Sequence, residues 1–486
     1  MDSAMLTNET TRSADGLASV AILGGGPAGL GAAWRLAAEG KAQATLFEAG
    51  ARIGGNAGSF DAHGIRCDFG SHRLHPASDP AILADIKSLL GDDLLVRPRH
   101  GRIRLQRSWI HFPLKPFDLA TRLPPLFSAS LFFDAATAKM RAPKVDPETF
   151  GSVMLGGLGR AMCENFYFPY MKKLWGLGPD ALAPTLARRR VSGSTLPKLM
   201  KKIFSQLPGL KSEMTGKFFY PRQGFGQICE SLGTAAENAG ARISLNSRVE
   251  GIEIADNRIR AVNVRAGGEI SRIETDYVWS TLPLTLLAKG AGDAVPEKVR
   301  SAASAMRYRG MILVYIALDT PQYTEFDAHY FPELDIPISR LSEPKNYSNS
   351  KTPEGLTILC AELPCDPHEE YWAMSDQALG EALYGWLGKC GLPQDAKIVD
   401  AFTKKLAHAY PVYDRDYLEH FETLDIWAES VDGLLTFGRQ GLFAHDNTHH
   451  ALAMAYGAVD CLGADGFDHK KWADYRREFE THVVED

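Results

Sequence analysis

"SVAILGGGPAGLGAAWRLAAEGKAQATLFEA", residues 19–49, is the stretch whose reading decides the fold. Residues 19–23 are a short apolar run ending in glycine, the pattern of a buried strand. Residues 28–39 carry apolar side chains at helical spacing, and 43–48 read as a second, parallel strand. Gly24, Gly26 and Gly29 complete G-x-G-x-x-G, and Glu48 lies nineteen residues beyond the last glycine. In a dinucleotide cradle the first glycine permits a tight turn and the second lets a pyrophosphate approach the backbone. The third packs helix on strand, and the acid can bind a ribose hydroxyl. The competing reading is a glycine turn in some other α/β unit; strand, helix, second strand and acid together favour the cradle. "ARIGGNAGSF" (51–60) adds Arg52, Gly54 and Gly55, a second glycine turn able to face the same pyrophosphate.

Outward from this unit the pattern changes several times. The leader "MDSAMLTNETTRSADG" is polar, reads as disordered and lacks the basic, apolar and small-residue succession of a signal peptide. From about 85 to 215 the spacing predicts mostly helix, broken by prolines and basic clusters. "ARISLNSRVEGIEIADNRIRAVNVR" (241–265) alternates like successive strands with "ADN" as a turn, and "DYVWSTLP" (276–283) reads as a buried strand. Strands are expected again at 311–319 and 356–363, and an amphipathic helix at 375–389. "GLLTFGRQG" (433–441) reads as a strand entering a glycine loop, followed by a small-residue helix at 449–462. There is no internal repeat or low-complexity linker. The expected organisation is one nucleotide-binding domain in three pieces, 17–85, 216–290 and 400–465. A mainly helical substrate or cap domain (86–215) and a sheet-containing substrate domain (291–399) interrupt it, and 466–486 forms a terminal helix and tail.

Composition narrows the function classes. The 486 residues are 45% hydrophobic and 23% charged, enough for two or three ordinary domains. A net charge of −6 gives no general attraction to nucleic acid or an anionic membrane. Seven scattered cysteines without CxxC fit a reducing cytoplasm rather than a disulfide framework. Apolar runs such as "MILVYIAL" (311–318) are too short to span a bilayer, so a cytoplasmic protein with no integral membrane segment is expected. Near the end, "GRQGLFAHDNTHH" (438–450) gathers His445, Asp446, His449 and His450, residue types that also serve as metal ligands. No cysteine or further carboxylate cluster supports a metal there, and none is expected.

The segments "GGGPAGLGAAWRL…FEAGARIGGNAGSF…DFGSH" resemble the FAD half of the glutathione-reductase-type flavoproteins, an α/β class built on a Rossmann unit. Within them the chain resembles the branch of protoporphyrinogen oxidases, amine oxidases and UDP-galactopyranose mutases. Similarity to the longer, eukaryotic-type mutases is collinear over roughly 19–465. Its landmarks are "FPLKP", "FYFPYMKKLWGL", "RRRVSGS", "FFYPRQGFGQI", "YFPELDIPISR", "AYPVYDRDY" and "GRQG…DN". The resemblance implies FAD, a small-molecule substrate that is a nucleotide-linked sugar, and a pyranose–furanose mutase. Reduced flavin would attack the anomeric carbon through N5 and expel the nucleotide diphosphate without net redox change. NAD(P)H or another reductant would prime the flavin. The alternative within the branch is an FAD-dependent oxidase or dehydrogenase, and a third class is a flavin-binding scaffold without catalysis.

The resemblance also assigns residues. Arg190 and Arg340 occupy the positions of two diphosphate-binding arginines, a role suited to a planar fork that stays charged. The bland reading of each is a surface salt bridge, and Arg188 and Arg189 read as a flanking face. Tyr410 and Tyr330 match substrate-contacting tyrosines, or else packed core tyrosines. His72 is placed beside the flavin, orienting a backbone carbonyl, with a satisfied structural histidine as the rival. Arg99 approaches the flavin edge, Val249 contacts adenine through its backbone, and Phe112 and Lys115 fall in the base-reading segment. Gly438 and Arg439 form the last flavin turn, and Asn447 begins a helix whose N-terminus favours charge on reduced flavin. The histidines of this loop would line the cavity, with His445 touching substrate. Several positions depart from the mutase pattern, Lys115 among them, standing where a neutral amide would read a base. Met171 stands where an asparagine reads uracil, His445 where a second phosphate-contacting tyrosine stands, and Asn447-Thr448-His449-His450 replaces Asn-Gln-Asp-His. These departures bear on the nucleotide and sugar rather than on the flavin.

Overall fold

The computed structural model describes residues 16–137, 147–190, 214 and 216–484. The leader through Asp15 and the "VSGS" half of one landmark lie outside them. The quoted stretch forms a strand Ala18–Leu23, a helix Pro27–Ala38 and a strand Ala42–Phe47. The strands pair in parallel, as the short helical crossover requires. Three further strands complete a parallel sheet in the order Leu434–Thr436, Tyr277–Ser280, Ala18–Leu23, Ala42–Phe47, Arg242–Ser244. The central positions Ile22, Leu23 and Leu46 are 0% exposed, because helices cover the sheet. Ser19 Oγ donates to Asp276 Oδ2 at 2.9 Å and Thr281 Oγ1 to the Leu23 carbonyl at 2.8 Å, tying segments more than 250 residues apart.

The mixed sheet has seven strands, and only Gly101–Leu105 with Ala328–Tyr330 runs parallel. Its centre is Tyr308–Leu318, flanked by Thr357–Pro364 and Ile398–Pro411. Buried on both faces, Tyr308–Leu318 is a nearly continuous apolar run rather than an alternating one. The long strand Ile398–Pro411, which spans the expected boundary at 400, pairs with Tyr308–Leu318 in this sheet. A mainly helical character holds for Pro116–Arg190 among the described residues. Earlier, 94–112 is strand. Leu94–Pro98 pairs with Lys217–Pro221, and Gly101–Leu105 and Ser108–Phe112 form the far edge of the seven-stranded sheet. These strands are too short, and too rich in arginine, to show a clean period.

A three-stranded antiparallel sheet, Ser247–Ala255, Arg258–Ala266 and Glu269–Glu274, matches the alternating segment. Its "ADN" turn puts Asp256 and Asn257 at φ 51° and 58°, the left-handed pair that suits a hairpin's twist. The helical and mixed-sheet parts are stitched by Lys173, 8% exposed. Its Nζ donates to the carbonyls of Phe331, Glu333 and Ile338. All seven cysteines are buried and free. Among the described residues no helix is long and apolar enough to cross a membrane.

A Cβ added to Gly29 would lie 2.0 Å from the Gly24 carbonyl oxygen. That atom is backbone and cannot swing aside, so Gly29→Ala must lift the helix from the turn. The expected cost is on the order of 1–3 kcal/mol, or failure to fold, read by urea unfolding. Wild-type stability in Gly29→Ala would show that the helix does not need this approach.

Candidate functional site

Two helix N-termini and one end of the mixed sheet enclose a cavity of about 550 Å³. One wall is the first glycine turn, Gly24–Ala28, with Gly55–Ala57 laid against it. Gly24 sits at φ +105°, which a side chain would resist. Gly26 is extended, and a Cβ there would meet no protein atom within 4 Å. The space in front of it is cavity, so its lack of a side chain keeps room for a ligand rather than for neighbouring protein. The Gly25 and Gly50 N–H groups donate to the two oxygens of Glu48 at 2.8 and 2.7 Å. The carboxylate is thereby fixed and keeps lone pairs for a hydroxyl. The Gly54 N–H donates to the Gly25 carbonyl at 2.7 Å, which locks the second turn to the first. An open glycine cradle, a held acid and the N-terminus of Pro27–Ala38 together fit a dinucleotide. Five expected cofactor residues stand off the cavity wall, among them Gly29 and Gly54, each packed against backbone of its own turn. Arg52 lies over the Phe69 ring at 3.7 Å, and burial lowers its pKa. Val249 pairs with Val264 in the three-stranded sheet. Gly438, at φ +80°, packs where a Cβ would lie 2.8 Å from Ala28 Cβ, and so delivers Arg439 to the cavity.

The opposite wall carries Tyr170, Leu174, Arg190, Tyr330, Arg340, Glu362 and Tyr410. Arg340 donates through Nε and Nη2 to Glu362 Oε1 at 3.0 and 2.7 Å, leaving Nη1 uncommitted among the described residues. Burial opposes its charge, but Glu362 and the tyrosines around it hold it charged. Arg190 ends the helix Pro184–Arg190 and lies over the rings of Trp175 and Tyr410 at 5.4 and 5.8 Å. No carboxylate pairs with Arg190 among the described residues, so the surface-salt-bridge reading does not fit it; Arg340 does form an ion pair, with Glu362, but at the cavity wall. Arg439 stands 4.9 Å from the same Tyr410 ring, so that ring lies between two guanidiniums. Tyr330 accepts from Arg73 Nη1 at 3.1 Å, which leaves the tyrosine's own proton to donate. His72 donates from Nε2 to the Phe69 carbonyl at 2.9 Å and stacks on Phe225. Burial keeps its imidazole neutral against the pull of Asp68.

Several placements differ from the sequence reading. His445 is 1% exposed and packs against Trp175, Tyr413 and Tyr410, behind the wall rather than on it. Burial, with Arg190 and Arg439 nearby, keeps it neutral. Its loop presents Asp446, Asn447 and Thr448 to the cavity instead, and His449 and His450 also turn away. Met171 is core, 5% exposed, and its neighbours Tyr170 and Leu174 take the cavity positions. Phe112 touches Tyr330, ring to ring at 5.1 Å, without lining the cavity, and Lys115 is exposed. Sequence reasoning missed Arg73, Glu362, Asp446, Val484 and the run Lys405–His408. Arg73 adjoins the recognised "DFGSH" and was within reach. Glu362 looked like any strand acid, and nothing in sequence joins residue 484 to this cavity.

The family model described as flavin-containing amine oxidoreductase matches residues 27–415. No curated protein matches in sequence. A reduced UDP-galactopyranose mutase superposes with TM-score 0.78 at 21% identity, covering 96% of this chain and all of that one. A putative protoporphyrinogen oxidase from Exiguobacterium sp. 255-15 gives 0.66 at 18%, over 91% and 98% of the two chains. Putrescine oxidase bound to putrescine gives 0.60 at 16%, again over 91% and 98%. At these identities the likeness is one of fold.

The loop histidines make stability depend on pH. Burial first, then neighbouring imidazoles, push His449 down to about 4 and His450 to about 3. Both lie below the unfolded value, so the unfolded chain binds more protons as pH falls. The stability they contribute is full above about pH 6.5 and drains away as pH falls toward 3–4. Urea unfolding at pH 7 and 5 should differ by on the order of 1–2 kcal/mol per histidine, and His450→Gln should remove one share. An unchanged pH slope in His450→Gln would contradict this.

Proposed function

Since the chain belongs to the flavin-containing amine oxidoreductase family, we propose that this FAD-dependent enzyme is a pyranose–furanose mutase of a nucleotide-diphosphate sugar. The observation that carries the reading is the convergence of Arg190, Arg340, Tyr330 and Tyr410 on the cavity that the glycine turn faces. Gly24, Gly26, Glu48, Gly55, Arg439 and Asn447 would hold the FAD, and the chemistry it supplies when reduced is a nucleophilic nitrogen.

What remains for the protein is electrostatic. Among the described residues Arg190 has no carboxylate partner and Arg340 leaves Nη1 uncommitted, so both guanidiniums suit phosphate oxygens of a leaving diphosphate. Tyr330 and Tyr410 add neutral donors. Asn447 and the N-terminus of Thr448–Asp460 put a favourable dipole at the cavity, where negative charge on a reduced cofactor would lie. Asn447 is held in turn by donating its N–H to His450 Nδ1 at 3.2 Å.

The alternative, an oxidase or dehydrogenase, draws on the likeness to putrescine oxidase and the putative protoporphyrinogen oxidase. The wall argues against a cationic amine. Five arginines and Lys405 face three carboxylates, and of these Glu48 is tied to glycine N–H groups and Glu362 to Arg340. Such a cavity attracts anions.

Dithionite-reduced protein offered a panel of nucleotide sugars should isomerise one of them without consuming stoichiometric reductant. Stoichiometric reduction of O₂ or NAD(P)⁺ would select the oxidoreductase instead. Arg190→Ala should keep its FAD and weaken nucleoside-diphosphate binding by about 2 kcal/mol, seen in a titration followed by flavin absorbance. Arg190 is the cleaner variant, because removing Arg340 strands Glu362. Wild-type affinity in Arg190→Ala would remove the diphosphate site.

A further inference from the structure

After the helix His469–Phe479 the chain turns back to the cavity and is pinned there twice. The Val484 N–H donates to the carbonyl of Arg189, the residue before Arg190, at 2.9 Å. Val484 itself lines the cavity. Between these points His482 Nδ1 lies 3.2 Å from Asp446 Oδ2, on a carboxylate whose side chain is 0% exposed. A carboxylate only accepts, so His482 Nδ1 carries the proton and donates. The His482 ring also stacks on His450, with centroids 4.2 Å apart and planes at 14°.

The neighbouring groups leave this bond unassisted. His450 Nδ1 accepts from the Asn447 N–H, so it has no proton to give Asp446 Oδ1, 3.9 Å away. Asp446 Oδ1 has no hydrogen-bond partner among the described residues. One ion shared by Asp446, His450 and His482 is a rival use of donors that lie within 4.8 Å of one another. Two rings stacked at 14° keep their in-plane lone pairs in nearly parallel planes, and one ion cannot lie in both unless an imidazole turns. The geometry serves a clasp better than a chelate.

We propose that Glu480–Val484 is a strap forming part of the cavity wall, that Val484 limits the size of the group accepted beside Arg190, and that His482 is the positioning residue holding the strap through Asp446. The size limit rests on the diphosphate reading above for its ligand; the clasp does not. In this five-residue segment only Val484 is buried, and such a segment opens locally once one of its two pins is lost. Asp446 and Arg190 both face the cavity, so the strap joins the end of the arginine helix to the loop that precedes the Asn447 cap.

Hydrogen exchange on the full-length, FAD-loaded protein tests the clasp. His482→Ala should speed exchange in 480–484 at least tenfold and leave the parallel sheet unchanged. His482→Asn, whose amide can donate from nearly the same place, should restore protection. Unchanged exchange in His482→Ala, failure of Asn to rescue, or tight zinc binding lost in His482→Ala would each overturn the clasp. The wall is tested with two probes, inorganic pyrophosphate and ADP. Val484→Trp should weaken ADP at least tenfold and pyrophosphate less than twofold; equal effects on both, or none, would overturn the size limit. If the wild type binds neither probe, the diphosphate reading itself fails. Labelling of Val484→Cys then decides the wall, since the seven native cysteines are buried. With each rate taken relative to the same reagent on free glutathione, a bulky maleimide should be slowed at least tenfold more than iodoacetamide, and His482→Ala should abolish the difference; equal slowing with His482 intact would overturn it.

Discussion

The helix that begins at Pro27 rests on the glycine turn more closely than any side chain would permit, with the Gly24 carbonyl filling the place of a Gly29 Cβ. Much else depends on that contact. It fixes the angle at which the helix leaves the sheet, and therefore where the unpaired N–H groups of its first turn point. It holds the turn against the tip of the second strand, where Glu48 fastens to Gly25. The Gly54 turn then docks on the Gly25 carbonyl, and Gly438 docks on Ala28. A second helix, Thr448–Asp460, can lie against the first because Gly31 faces Leu452 without a side chain between them. The two N-termini that open on the cavity are thus aimed by glycines, of which Gly29, Gly31, Gly54 and Gly438 do so from off the cavity wall.

Around the cavity the protein concentrates positive charge and then prevents the histidines from adding to it. Arg73, Arg190, Arg340 and Arg439 stand within one wall, and Arg73 and Arg340 repel one another. Such a cluster is tolerable because each guanidinium has a carboxylate, a tyrosine or an aromatic face to lie on. His72 and His445 are held neutral by burial close to those arginines. The result is a site whose charge comes from groups that do not titrate near neutrality, with imidazoles serving as packing and as hydrogen-bond spacers.

The parallel unit was legible in sequence because each local signal had a single physical cause. The turn needs glycines at fixed offsets, the strands are buried on both faces, and the acid sits at a strand tip. Strands expected at 19–23 and 43–48 appear at Ala18–Leu23 and Ala42–Phe47. The arginines and tyrosines of the far wall were legible only through resemblance, since nothing in their own neighbourhoods distinguishes a phosphate ligand from a surface ion pair. Side-chain direction was not legible at all. Met171 and Tyr170 are adjacent on one helix, yet one is core and the other cavity. Likewise His445 faces inward to Trp175 while Asp446 faces the cavity. Position in a motif locates the backbone, and the packing of distant rings then decides which of two neighbours turns inward.

The order of strands in the parallel sheet has a consequence for how the molecule is made. Its central strand, Ala18–Leu23, is flanked by Tyr277–Ser280, and Leu434–Thr436 closes the edge. The helix that lies on Pro27–Ala38 starts later still, at Thr448. A chain emerging in sequence order therefore exposes the apolar faces of its first strands until Leu434–Thr436 and Thr448–Asp460 have been synthesised. Pairings of such separation form slowly, and the half-built sheet is vulnerable to association with other chains. The cofactor cradle, though encoded within residues 19–60, becomes a complete enclosure only once Asn447 and Val484 have been made. The cradle and the segments that enclose it are thus separated by some four hundred residues of chain, and enclosure depends on closure of the whole sheet.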